Sequence, residues 1–292
     1  MPGPAYDQAV LGANGWECDP TPNVNFALDA PSQALVEDKS ASIARVCAAY
    51  YPFSEGSGTT LVDSGADGPD ISVGGTTTGI WVNSGWLTHD AAGNTLNIAN
   101  NPYIDGLLDM TTDGSILIGV DMYATAWPTA TETLWAIHRS DLSGGGVRMP
   151  LTTSAGRISV YYKPGGGSDT EQAAINMSGG YLGTKISILT ELRIASAEGK
   201  LKIFLYVNGK MERANTITLG TPPATNSAGG LYFSGYGAGQ KLGTSGAGTP
   251  GNNIRTKNCY VMRHSGKNRN IAGRLARYVS DNGALPSWLT RV

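Results

Sequence analysis

Three aspartates crowd into the stretch YYPFSEGSGTTLVDSGADGPDIS, residues 50–72. Asp63, Asp67 and Asp70 lie within eight residues of one another, and carboxylate oxygens are the ligands that Ca²⁺ prefers. The spacing does not fit an EF-hand, because glycines occupy the third and twelfth positions counted from Asp63. Glycine-rich turns closed by an aspartate that accepts backbone hydrogen bonds give a structural interpretation. We favour the turn, keep calcium as the alternative, and predict no other cofactor.

Catalytic carboxylates are the second kind of site to consider. Glycoside hydrolysis with retention needs two carboxylates about 5 Å apart, projecting from one strand face. Four glutamates each lack a second carboxylate two or four positions away: Glu132, Glu191, Glu198 and Glu212. The three histidines are scattered, and no Gly-x-Ser-x-Gly nucleophile elbow occurs. The sequence therefore predicts no catalytic residues and no enzymatic activity.

Aromatic residues are the candidates for a sugar-binding site, because exposed rings stack on the faces of sugars. Trp127 lies in TAWPTAT, where proline and threonines indicate a loop beyond a strand. Tyr161 and Tyr162 are adjacent in a strand pattern, so alternation exposes one of the two. Three other tryptophans lie within strand patterns and are expected in the core: Trp81, Trp86 and Trp135.

The composition of the chain limits the class of protein. Only 15% of the 292 residues are charged and 40 are glycines, which favours many short strands joined by tight turns. No stretch approaches the roughly 20 apolar residues that span a bilayer, and the first 20 residues do not resemble a secretion signal. Cys18, Cys47 and Cys259 are odd in number and far apart, so we expect reduced thiols and no metal knuckle.

A period of two dominates the chain from Arg45 onward. The clearest runs are SILIGVDMY, KISILTELRIAS and LKIFLYV, and the third is followed by Asn208-Gly209, a strong hairpin signal. Further strands are expected near residues 46–52, 79–88, 132–139, 157–162, 230–236 and 257–263. This pattern predicts an all-β, two-sheet antiparallel sandwich.

The two ends of the chain differ from the middle. Residues 252–292 carry a net charge of +7, and the other 251 residues carry −9. A short helix is expected over 269–281, because apolar residues recur at helical spacing and Asn282-Gly283 follows as a C-cap. Three arginines are expected on its outer surface: Arg269, Arg274 and Arg277. We favour docking of this basic face on an acidic protein or on the body of the chain over nucleic-acid binding.

Residues 1–44 contain five prolines and show no clear period, which predicts an extended arm. Trp16, Phe26 and Leu28 are too apolar for a solvated tail, so we expect the arm to lie on a neighbouring subunit. Residues 45–292 then form the sandwich together with its basic end.

Three stretches carry a resemblance to a known family: AAYYPFSEGSGTTLVDSGADGPDISV, GWLTHDAAGNTLNI and TELRIASAEGKLKIFLYVNGKM. They resemble laminin-G-like domains of the concanavalin A-like lectin/glucanase superfamily over roughly residues 46–240. The resemblance implies a jelly-roll sandwich of two curved antiparallel sheets. Its motifs are structural and specify the fold more strongly than the function.

Such sandwiches are common in tailed bacteriophages, as tail-fibre parts or capsid decorations. The resemblance therefore implies a virion structural or accessory protein, made in the host cytoplasm, homo-oligomeric and able to bind host glycans. The alternative is a carbohydrate-binding module of a bacterial surface or secreted protein.

Overall fold

The computed structural model describes residues 47–65, 68–72, 81–82, 86–88, 96–98, 108–128, 131–137, 145–152, 156–177, 179–223, 231–233, 235–236, 240–241, 254–264 and 271–286. Residues 1–46 lie outside this part, and with them the predicted arm. Within the described residues, no helix has the length and apolarity that crossing a membrane requires.

Antiparallel strands make up most of the described chain. Their bounds are β1 Cys47–Tyr51, β2 Thr60–Leu61, β3 Ile71–Ser72, β4 Trp81–Val82, β5 Trp86–Thr88, β6 Leu96–Ile98, β7 Gly114–Ala124, β8 Glu132–Ile137, β9 Gly146–Thr152, β10 Arg157–Lys163, β11 Thr170–Asn176, β12 Lys185–Ala195, β13 Lys200–Val207, β14 Lys210–Thr218, β15 Leu231–Phe233, β16 Gly235–Tyr236, β17 Gln240–Lys241 and β18 Ile254–His264.

The strands form two large sheets, as the alternation predicts. An eight-stranded sheet has the order β14-β13-β12-β7-β18-β5-β4, and β1 pairs with β18 beside β5. A six-stranded sheet has the order β11-β10-β9-β8-β15-β6. Two short hairpins, β2–β3 and β16–β17, complete the described strands. The predicted all-β sandwich is confirmed.

The core fills the space between the two sheets and takes one face of the long strands, such as β7, β10, β12 and β13. In β7 the inward residues are Ile116, Ile118, Val120 and Met122, all at most 1% exposed. Each large apolar side chain buried in this way contributes roughly 1.5–3 kcal/mol before entropy is subtracted. The tight turn after β13 follows the sequence signal, since Asn208 and Gly209 both have positive φ, as a type I′ turn requires.

Four short strands, β2, β3, β6 and β17, and three long ones, β9, β11 and β14, fall outside the ranges that the sequence predicted. β11 and β14 have mostly polar or exposed residues, so they lack the apolar alternation that marks a half-buried strand. β9 contains Pro150, which argues against a central strand. Pro150 lies opposite Thr133, where β8 has a bulge that relaxes the hydrogen-bond pattern.

A helix, α1, runs from Ile271 to Asn282 and packs on the outer face of the eight-stranded sheet. Leu275 and Val279 are buried there, next to the outward side chains of Tyr206 and Tyr260. Gly283 ends the helix with φ 67°, and its amide donates to the carbonyl of Val279 at 2.8 Å. The predicted C-cap is confirmed, and the described helix covers the predicted range from Ile271 onward.

The arginines of α1 depart from the predicted outer basic surface. Arg274 is 7% exposed, because its position on the helix faces the sheet. Arg277 is exposed, but its Nε donates to Asp281 Oδ2 at 2.8 Å, one helical turn away. Arg269 lies outside the described residues. The helix therefore does not present the three arginines as one basic face.

Candidate functional site

The outer face of the six-stranded sheet carries a compact group of aromatic and charged side chains on β9, β10 and β11. In β10 the even-numbered residues point into the core, so Arg157, Ser159, Tyr161 and Lys163 are on the outer face. Tyr161 is paired in register with Arg148 on β9. It is also paired with Glu171 on β11. The three strands therefore bring these side chains together.

One guanidinium covers the Tyr161 ring. The Cζ atom of Arg148 lies 4.7 Å from the ring centroid, in cation–π geometry. Arg148 Nε and Nη2 donate to Asp169 Oδ2 at 2.9 and 2.6 Å. Asp169 immediately precedes β11, so Arg148 reaches across β10 to its carboxylate partner. Ring and guanidinium together form a half-buried pair on the sheet face, which we call the Tyr161–Arg148 platform.

A second ion pair lies beside the platform on the same face. Arg157 Nε donates to Glu171 Oε2 at 3.2 Å, and Arg157 Nη2 contacts the other carboxylate oxygen. Ser159 Oγ donates to Glu171 Oε2 at 2.8 Å. Hydrogen bonds from Arg157, Ser159 and Tyr161 outweigh partial burial and hold the pKa of Glu171 below its usual value. Glu171 thus stays ionised and cannot donate a proton near neutral pH.

Asp169 and Glu171 correct the sequence argument about carboxylates. The pair Asp169-Thr170-Glu171 has the acidic–x–acidic spacing that the four glutamates considered above lack. The spacing is visible in the sequence, but nothing there marks β11 as a strand. Both carboxylates accept hydrogen bonds from arginines, and the lowered pKa of Glu171 keeps this residue from acting as the protonated acid that acid catalysis needs.

The two predicted tyrosines divide as alternation requires, and Tyr162 is the buried one. It is 2% exposed, its hydroxyl donates to the carbonyl of Leu219, and burial raises its pKa to about 12. Tyr162 is therefore not available to a sugar, which corrects its place among the candidates. Tyr161 remains.

Trp127 lies in the predicted loop after β7, but it is more enclosed than a free loop residue. Its indole is half-buried against the core and packs directly on Gly156. A Cβ atom built on Gly156 would approach the indole Cδ2 and Cε2 atoms to 2.3 Å. The indole N–H is buried and has no acceptor among the described residues. This packing favours a structural role for Trp127.

The remaining tryptophans follow the core prediction only in part. Trp135 is fully buried, whereas the side chain of Trp81 is outside the description. Trp86 is half-buried on the eight-stranded sheet, with its ring 6.1 Å from that of Tyr123. The Arg255 guanidinium lies 5.6 Å from the same Tyr123 ring.

The described aspartates of the 50–72 stretch bind backbone amides. Asp63 is buried, and its Oδ1 accepts hydrogen bonds from the amides of Tyr50 at 2.8 Å and Gly65 at 2.9 Å. Asp70 Oδ1 accepts from the amide of Asp63 at 2.9 Å. Asp67 lies outside the described residues. Among the described residues, no group of three or more His, Cys, Asp or Glu side chains has the arrangement of a metal site.

A buried polar network lies below the end of α1 and is a separate candidate. Asn258 Nδ2 donates to Asp121 Oδ2 at 2.8 Å and to the carbonyl of Gly283 at 2.6 Å. The Tyr50 hydroxyl donates to Asn258 Oδ1 at 3.1 Å. Burial raises the pKa of Asp121, although Asn258 and Lys185 oppose the shift. Because the network ties the helix end to β7 and β18, its arrangement explains attachment and not chemistry.

Neither the predicted assembly residues nor the predicted basic residues are part of the site on β9, β10 and β11. The assembly candidates Trp16, Phe26 and Leu28 belong to the undescribed residues 1–46. The basic candidates are distributed as the fold requires, with Arg274 inside and Arg277 paired to Asp281. The residues that the structure brings together, Arg148, Asp169 and Glu171, were absent from the sequence candidates.

No protein-family model matches this chain, and no curated protein matches it in sequence. Solved structures resemble it in fold. The receptor-binding domain of a botulinum neurotoxin C/D mosaic serotype has a TM-score of 0.54 at 10% identity, over 82% of this chain and 52% of its own. The binding domain of botulinum neurotoxin serotype D gives 0.52 at 12% identity, over 82% and 52%.

A third resemblance is to Trypanosoma rangeli sialidase in complex with a difluoro-KDN ligand. Its TM-score is 0.50 at 12% identity, over 80% of this chain and 32% of the sialidase. The chain thus spans about half of the toxin domains and a third of the sialidase. At this level of identity the likenesses establish a shared two-sheet β-sandwich.

Proposed function

We propose that this chain is a lectin-like binding module that recognises glycans through the outer face of its six-stranded sheet. The observation that carries the proposal is the Tyr161–Arg148 platform, flanked by two carboxylate–arginine pairs on one sheet face. A planar surface next to fixed donors and acceptors is the arrangement that sugar binding requires. Structural neighbours that include toxin receptor-binding domains and a sialidase support the proposal at the level of the fold.

The module is proposed to bind without catalysis. Both carboxylates of the acidic pair are hydrogen-bonded to arginines, and Glu171, whose pKa is lowered, does not supply the protonated carboxyl group that a glycosidase needs. Glycans bound by the protein should be recovered intact. Cleavage that disappears on mutation of Asp169 or Glu171 would contradict this part of the proposal.

We further propose that the module belongs to a bacteriophage virion protein, as a capsid decoration or a tail-fibre adhesin. The support is the laminin-G-like resemblance of the sequence and the apolar, proline-rich residues 1–44. In this proposal Trp16, Phe26 and Leu28 contact a neighbouring virion subunit, and the chain is homo-oligomeric. The alternative is a carbohydrate-binding module of a bacterial surface or secreted protein.

A glycan array with two matched variants tests the binding face. Tyr161→Ala removes the ring below Arg148 and should abolish glycan binding while the fold remains intact. Phe204→Ala is the control, because Phe204 lies below Arg193 at 4.8 Å on the outer face of the other sheet. Equal binding by both variants and the wild type would contradict the proposed face.

Deletion of residues 1–44 tests the assembly role. The shortened chain should fold and bind glycans, yet no longer enter its assembly, because the apolar contacts of the arm are lost. A shortened chain that still assembles would transfer the anchoring role to another surface, and one that fails to fold would make the arm part of the core.

A further inference from the structure

The charge of the ligand can be inferred from the carboxylates that pair with the arginines of the proposed face. Arg148 is held by Asp169 through two hydrogen bonds. Arg157 is held by Glu171 through both of its carboxylate oxygens and by Asn176 Oδ1 at 3.3 Å. The Nε–Nη2 edge of each guanidinium, with which a ligand carboxylate would pair bidentately, is therefore already bonded to a protein carboxylate.

The negative charge of Glu171 persists in mild acid. The pKa of Glu171 is lowered mainly by its hydrogen bond from Arg157, so mild acid does not release Arg157. Lys163 is the additional cation of the face, on the same side of β10 as Tyr161 and about 6.6 Å along the strand. The two ion pairs cancel, and among the described residues of β9, β10 and β11 one half-buried lysine remains at one end of the platform.

Hydroxyl groups suit this surface better than an anion does. A hydroxyl both donates and accepts, so it can bond to a carboxylate oxygen or to a guanidinium without separating the ion pair. The platform presents a surface for the apolar face of a pyranose. Recognition of this kind depends on shape and hydrogen bonds, and long-range charge contributes little to it.

We propose that the ligand of this face is an uncharged glycan, and that sialylated or uronic acid-containing glycans are disfavoured there. The inference rests on the proposed glycan-binding function. The observation that carries it is that the two arginines of this face are already paired with Asp169 and Glu171.

The test uses galactose-terminated oligosaccharides and their sialylated counterparts as matched pairs on one array. The neutral member should bind at least about tenfold more tightly, with little change between low and high salt. Acidic members that bind at least as tightly, with affinity that falls in salt and on Lys163→Gln, would overturn this inference alone. Absence of binding to every pair would overturn the proposed function and this inference with it.

A variant provides a second, independent readout. Asp169→Asn keeps the side-chain shape but removes the charge that neutralises Arg148, so binding of the sialylated members should increase. Asp281→Asn is the control, because it releases Arg277 on the helix in the same way, far from the face. An unchanged neutral preference in Asp169→Asn would show that ion pairing does not determine the specificity.

Discussion

The packing of Trp127 on Gly156 leads to a quantitative prediction about whether this tryptophan serves the fold or a ligand. A fully buried Trp→Ala change costs about 3–5 kcal/mol. Trp127 is only half-buried, and its indole N–H has no acceptor among the described residues. Trp127→Ala should therefore lower the free energy of unfolding by about 2 kcal/mol. It should leave glycan binding at the outer face of the six-stranded sheet unchanged.

Gly156→Ala perturbs the same contact from the opposite side. Gly156 has φ 57°, where a non-glycine residue costs about 1–2 kcal/mol. The added Cβ also overlaps the indole at 2.3 Å, which costs a further 1–3 kcal/mol, roughly. In the double variant the indole is absent, so Gly156→Ala adds only its backbone strain to the effect of Trp127→Ala. The two changes should therefore couple by the lost overlap cost, about 1–3 kcal/mol.

Urea denaturation followed by far-UV circular dichroism measures all four proteins of this cycle. Additive effects would contradict the direct contact. A Trp127→Ala variant with wild-type stability and lost glycan binding would refute the structural role and place the sugar site in the loop after β7.

Three other perturbations have defined outcomes. Asn258→Ala removes hydrogen bonds to Asp121 and Gly283 and should lower the free energy of unfolding by about 2–4 kcal/mol. The control Asn282→Ala removes an exposed hydrogen bond to Tyr278 and should lower it little. Equal losses of both variants in urea denaturation would refute anchoring of the helix end by the network. Because the folded pKa of Glu171 is lowered from 4.5, its stabilisation is present above that pH and is lost as pH falls through the folded pKa. Glu171→Gln should therefore lose less stability than the wild type between about pH 5 and pH 3, and a parallel loss in melting curves would contradict this. Asp63→Ala should lower the melting temperature with or without chelator, since Asp63 binds two backbone amides; a loss that calcium restores only in the wild type would favour the metal interpretation.

The fold class and most of the strands can be predicted from the amino-acid sequence. Alternation in β7, β12 and β13 places one apolar face on each strand, and two sheets packed face to face bury several such faces at once. The Asn208-Gly209 turn and the Gly283 cap are readable because their backbone conformations favour glycine or asparagine. Local chemistry of this kind acts over a few residues and leaves a signal in the sequence.

Which polar residues come together in a site depends on the tertiary structure. Arg148, Tyr161 and Asp169 meet because β9, β10 and β11 pair in a particular register, and register depends on contacts between distant segments. Because β11 is polar and β9 contains Pro150, the sequence pattern predicts neither strand. Arg274 and Trp127 were assigned to the surface on local pattern, and the packing of α1 on the sheet and of the indole on Gly156 encloses them.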